Sequence, residues 1–235
     1  AAFSKLSVNS RLCCGFIYLP LGKATICAVI SSITVSGIIV FLAFYKLSIT
    51  NFWTLSSLLI GLIIIIRYLI VIYFYFAHKK FANLYSVIAH CGLGLLIISI
   101  ALNNNLSSER ALNIKINETE IYKDHQVSFT NLKMVPGPNF DSVQAEFLIV
   151  NPNGKTYTLT PEKRKYFARG QVTTETAIRA FFLKDIYMTI GDQLDDGSWI
   201  VNIQFNMFIR WIWFSAIIMV AAGFLLAHSL SRSRS

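Results

Sequence analysis

A chain of 235 residues with 54% hydrophobic content and a mean hydropathy of +0.55 is too apolar for a water-soluble fold and reads as an integral membrane protein. Its net charge of +9 invites a nucleic-acid partner, but all 12 acidic residues lie between Glu109 and Asp196, and residues 103–209 hold 11 Lys and Arg, for a local charge of −1. The basic excess belongs to the membrane-proximal parts, where it sets topology and meets anionic lipid, so the nucleic-acid reading loses its support.

The residues before Lys23 show no clear period and no secretory signal pattern, and the chain, which begins with Ala, reads as starting within something larger. Residues 1–102 are expected to form a membrane region with three spanning helices, at about 25–47, 53–76 and 82–102; each run approaches the roughly 20 apolar residues a bilayer requires. The connection at 48–51 is too short for anything but antiparallel neighbours. A basic turn, His78-Lys79-Lys80, separates the second and third runs.

Residues 103–206 alternate as strands do: Leu112, Ile114 and Ile116; Val143, Ala145, Phe147 and Ile149; Ile186, Met188 and Ile190; Trp199, Val201, Ile203 and Phe205. Asn151-Pro152-Asn153-Gly154 and Asp196-Gly197 are turn signals, because glycine supplies the positive φ such turns need. Six to eight strands are expected, enough for a small sandwich or partly open barrel. A final spanning helix and basic tail occupy 207–235, with Trp211 and Trp213 in the aromatic belt. The fold class is thus a bundle of about four transmembrane helices with one inserted extracytoplasmic β-rich domain.

Orientation follows from the short loops. Lys5, Arg11, Lys23, Lys79, Lys80, Arg232 and Arg234 must share one side, against Lys46 alone on the other. Both termini are therefore expected on the cytoplasmic or matrix side, with the β-domain outside. The four cysteines, Cys13, Cys14, Cys27 and Cys91, all lie outside the polar domain, which can form no internal disulfide.

Two ionisable side chains fall inside apolar runs. His90 shares a narrow helix face with Ala82, Ser86 and Gly94, four residues apart. This face suits a flat ligand held by a nitrogen donor, and it equally suits close helix packing with the imidazole hydrogen-bonded to a neighbouring helix. Arg67 lies about 14 Å and His90 about 10 Å from the same boundary at helical rise, so the two are at similar depth. A metal-ligating imidazole beside a guanidinium would suit a haem and its propionates; a snorkelling arginine is the alternative. His78 and His228 read as headgroup-level residues and His125 as part of a solvated strand or turn. The basic run Pro161-Glu162-Lys163-Arg164-Lys165 reads as a solvated turn, with docking of an acidic partner as the sharper option. No GxGxxG, GxxxxGKS, HExxH, CxxC or GxSxG occurs, and no catalytic constellation is defensible from spacing.

The stretches AHCGLGLLIISIAL at 89–102, VPGPNF at 135–140, PEKRKYFARGQVTTETAI at 161–178, KDIYMTIGD at 184–192, DGSW at 196–199 and FIRWIW at 208–213 resemble the C-terminal part of the CcmF family, the cytochrome c haem lyase subunit of system I cytochrome c maturation. KLSVN at 5–9 and YLPL at 18–21 resemble its more upstream part. SRLCCG and a first helix without Gly-Pro depart from the pattern.

The resemblance implies a role in covalent haem attachment to apocytochrome c, in a multi-pass protein of the bacterial inner membrane with a periplasmic β-domain, or of the mitochondrial inner membrane. It further implies a membrane haem b. His90, in the AHxG context, is one axial metal ligand, Arg67 its neighbour in the cofactor site, and the second ligand is expected from outside this chain. The implied partners are membrane lipid, the upstream half of the lyase, haem-delivery subunits and apocytochrome c. The tryptophan-rich haem-handling segment and the external histidines of the family have no counterpart in this sequence, so no catalytic residue is assigned. The alternatives are a non-catalytic membrane anchor whose β-domain docks partners, or a remnant of a split or decaying gene.

Overall fold

The computed structural model describes residues 23–78, 84–168 and 170–232, and their contacts divide into a helical unit and a β unit spanning Leu106–Ile209. The helical unit holds α1 (Lys23–Leu47), α2 (Phe52–His78), α3 (Leu84–Leu106) and most of α4 (Ile209–Arg232). All four are long and apolar enough to cross a membrane. The chain reverses between α1 and α2 through Ser48, at a φ of 52°, and buried Ile49 packs with Leu58 and Ala101. Asn51 caps α2, its Oδ1 accepting from the Trp53 amide at 2.9 Å, which satisfies a donor the helix leaves open. The helix α3 continues past its apolar run through three asparagines; hydropathy marks the span, not the end of the helix.

The β unit is a sandwich. One sheet has the order β1 (Ser108–Ile114), β10 (Trp199–Met207), β9 (Lys184–Gln193), β8 (Ala177–Ala180). The other has β2 (Thr119–Tyr122), β3 (His125–Pro136), β4 (Phe140–Val150), β6 (Glu162–Tyr166), β7 (Val172–Glu175), with β5 (Thr156–Leu159) also on β4. All pairings are antiparallel. The ten strands among the described residues exceed the six to eight expected, because β2, β7 and β8, at four residues each, are too short to register as alternation.

The alternating sets are the inner faces of the two sheets. Ile114, Ile149, Ile186, Met188, Ile190, Val201 and Ile203 are fully buried, and Phe129 stacks on Phe147 with ring centroids 4.5 Å apart. Ile116 lies beyond the end of β1 and is exposed. The NPNG hairpin closes as its sequence requires, Gly154 taking a φ of 74° while Asn151 Oδ1 accepts from the Asn153 and Lys155 amides.

Chain entry and exit lie at one end of the sandwich. β1 begins just after α3, and its first residue, Ser108, pairs with Phe205 near the end of β10, four residues before α4 begins. Ser107 Oγ accepts the Met207 amide at 2.9 Å. At the opposite end an ion pair between Lys163 of β6 and Asp192 of β9 joins the sheets.

Candidate functional site

The helix α3 lies between α2 and α4, and glycines set both contacts. A Cβ added at Gly94 would fall 2.9 Å from the Gly61 carbonyl oxygen, and one at Gly61 would fall 3.0 Å from that of Gly94. The α2 and α3 backbones touch there, the close approach that small residues allow in a lipid-embedded pair. On the other side of α3, Gly92 faces the Ser215 carbonyl and Met219 of α4.

One helical turn from Gly94, the His90 imidazole stacks on the Tyr68 ring of α2, with centroids 4.6 Å apart and planes 24° from parallel. Its Nδ1 lies 2.6 Å from the Ser86 carbonyl oxygen, one turn back on α3. Only an N–H can donate to a carbonyl, so Nδ1 carries a proton, and in the neutral ring Nε2 keeps its lone pair. The small-residue face is therefore divided. At Gly94 it is filled by Gly61, Ile64 and Ile65, as close packing requires, and a flat ligand has no space there. At His90 the ring is held by its own helix and by Tyr68 rather than by a hydrogen bond to a neighbouring helix. Ala82 lies outside the described residues.

Arg67 precedes Tyr68 on α2 and is half-buried. One residue of helical rise, about 1.5 Å, separates it along the axis from the ring that His90 touches. Tyr68 is the site residue that sequence reading passed over; the signal was its place beside Arg67, one turn of α2 beyond the residues that meet Gly94.

The described residues contain no group of three or more His, Cys, Asp and Glu side chains able to enclose a metal. What they offer is one imidazole, with its second nitrogen fixed by a backbone carbonyl, which is the usual support of a metal-ligating histidine. That donor suits one axial position of a haem iron. Cys91 beside it is a free thiol, and His228 is exposed on α4.

Two readings of the β-domain need correction. His125 is not solvated: it is 6% exposed, its Nδ1 donating to the Lys123 carbonyl at 2.7 Å and its Nε2 accepting from Lys184 Nζ at 3.1 Å. Burial holds its pKa below the usual value, opposed by the Lys123 bond and reinforced by the Lys184 charge. Burial likewise lowers Lys184, whose ammonium lies 5.5 Å from the Phe205 ring centroid. Sequence reading missed the burial because β2 and β3 meet in a two-residue turn, Lys123-Asp124, which looks like a solvated loop.

The basic run is likewise not a turn. Glu162–Tyr166 is a strand within the sheet, and alternation sends its charges to opposite faces. Arg164 Nε reaches Glu162 at 3.0 Å and its Nη1 reaches Glu175 at 3.4 Å, while Lys163 takes Asp192. Two of the run's three basic side chains, Lys163 and Arg164, are thus paired within the domain.

Residues 105–207 match the family described as the CcmF C-terminal beta-sandwich. The chain is 32% identical over 139 residues to the cytochrome c-type biogenesis protein CcmF of Escherichia coli K12, covering 59% of this chain and 22% of that protein. It is 33% identical over 140 residues to the Pseudomonas fluorescens protein of the same name, covering 60% and 21%. The chain thus spans about a fifth of the length of the curated relatives it matches. A solved structure of cytochrome c heme lyase CcmF shares the fold at a TM-score of 0.68 and 9% identity, over 86% of this chain and 34% of that one.

Proposed function

We propose, from the premise that this chain resembles the C-terminal part of CcmF and carries the family's β-sandwich at residues 105–207, that it serves as the C-terminal portion of a cytochrome c haem lyase subunit. In this reading it takes part in covalent haem attachment to apocytochrome c. It lies in the bacterial inner membrane, with the mitochondrial inner membrane as the alternative, and its β-domain faces the periplasm or the equivalent outer space. Seven basic residues on the opposite side of the spans support that orientation.

The observation that carries the reading is the hydrogen bond from His90 Nδ1 to the Ser86 carbonyl, which leaves Nε2 as the donor nitrogen. A membrane haem b would take Nε2 as one axial ligand, with the second from a polypeptide outside this chain. Bound haem would supply a redox-active iron. The chain's own residues act on that site mechanically and electrostatically. Ser86 fixes the tautomer, Tyr68 fixes the ring plane, and Arg67, at the same depth, offers a guanidinium for a propionate. The outer sandwich would meet the haem-delivery subunits and apocytochrome c.

The test is coexpression with a polypeptide covering the remaining length of the relatives. The assembled pair should carry haem with a Soret band, and His90→Ala should remove it. An assembled wild-type pair without haem refutes the reading.

A second reading has its own support. Stacked on Tyr68 and bonded to its own helix, His90 is satisfied without iron, as in a membrane anchor that only presents the sandwich for docking. In that case His90→Gln leaves assembly and cytochrome c maturation unchanged.

A further inference from the structure

The turn between β8 and β9, Phe181-Phe182-Leu183, carries two apolar side chains that the sandwich core does not use, Phe182 and Leu183. Phe181 points inward, its ring edge-on to Tyr157 at 5.6 Å and beneath the Lys184 ammonium. Phe182 and Leu183 point outward and are 74% and 45% exposed. The turn is held in shape: the Phe181 amide donates to the Lys184 carbonyl at 2.9 Å and to Asp185 Oδ1 at 3.2 Å.

Exposed apolar residues also occur at the opposite end of the sandwich, Met134 and Phe167 among them, so exposure alone selects nothing. The location of the turn does. The Phe208 amide donates to the Leu183 carbonyl at 2.8 Å, and Phe208 is the residue that bends the chain, at a φ of 58°, into the spanning helix α4. The turn is thus tied to the residue immediately before a membrane span. Arg210, Trp211 and Trp213, the side chains of that boundary, follow within the first five residues of α4. An aromatic and an aliphatic side chain rigidly held beside the residue that leads into a span have the chemistry of an interfacial anchor.

We propose that Phe182 and Leu183 insert into the interfacial layer of the bilayer, so that the sandwich touches lipid directly in addition to its covalent links to α3 and α4. The contact is independent of whether His90 binds haem. It gives the domain a third point of attachment and limits its rotation about the two helix connections.

The test uses the full chain, with Cys13, Cys14, Cys27 and Cys91 replaced by alanine, in phosphatidylcholine and phosphatidylglycerol vesicles. Phe182→Cys and, at the opposite end, Asp195→Cys are each labelled with an environment-sensitive fluorophore; both positions are exposed, so neither change disturbs the core. Nitroxides near the lipid headgroups should quench the Phe182 label about twofold or more over the Asp195 label, with blue-shifted emission. Equal quenching at the two positions overturns the proposal. So does a blue shift at Phe182 without quenching, which would mean that protein rather than lipid covers the turn.

Discussion

His90 and Tyr68 lie face against face at 4.6 Å, on two helices whose backbones meet at Gly94, one turn from His90, and Gly61, two turns from Tyr68. The close crossing brings the rings into contact, and the hydrogen bond to Ser86 sets the tautomer. If Nε2 ligates iron, the tyrosine ring governs how firmly the imidazole plane is held. Tyr68→Ala in the assembled protein should weaken haem retention by about tenfold, while Tyr68→Phe, which keeps the ring, should stay near wild type; haem transfer to apomyoglobin measures both.

The helix crossing admits no added methyl group where backbone faces backbone. Gly94→Ala pushes a Cβ against the Gly61 carbonyl and should cost about 1–3 kcal/mol, read as a lowered thermal midpoint in detergent. Gly92→Ala first meets Met219, a flexible side chain, and should cost less. Gly223→Ala meets nothing within 4 Å and should be neutral or slightly stabilising.

Acid should loosen the sandwich at the His125–Lys184 junction. The folded-state pKa of His125 lies below the unfolded value of 6.5, so the unfolded chain binds the extra proton. The stability that neutral His125 contributes is fully present above that value and is lost as pH falls from it through the folded-state pKa. Urea midpoints followed by sheet circular dichroism should fall between neutral pH and pH 5. In His125→Gln that part of the fall should disappear.

Within the sandwich, buried apolar area should outweigh the ion pairs. Phe147→Ala removes a fully buried ring stacked on Phe129 and should cost about 3–5 kcal/mol. Lys163→Met breaks the pair with Asp192, whose side chain is 82% exposed, and should cost less than about 1 kcal/mol, shrinking further in high salt. Chemical denaturation of both variants gives the ratio.

Much of this architecture could be read from side-chain periodicity. Runs such as Trp53 to Phe76 announce a span because a bilayer demands unbroken apolar length, and Val143 to Ile149 announces a strand because one face must be dry. Periodicity fails where a strand is short or its charges pair inward. The Glu162–Tyr166 strand looks like a loop because it has no apolar face; backbone pairing to β4 and β7 holds it, and its basic side chains meet Glu162, Glu175 and Asp192. The burial of His125 depends on Lys184, 59 residues away, and no local pattern encodes a contact at that separation. At the membrane site, His90 and Arg67 stood out as charges in lipid. Tyr68 did not, because an aromatic residue in a spanning helix is ordinary until its partner is known.

The central claim is that His90 Nε2 is an axial ligand, and chemical rescue tests it most directly. In the assembled protein, His90→Gly should abolish the Soret band, and added imidazole should restore it by occupying the space the side chain leaves. A His90→Gly protein that keeps the wild-type band without imidazole would contradict the claim.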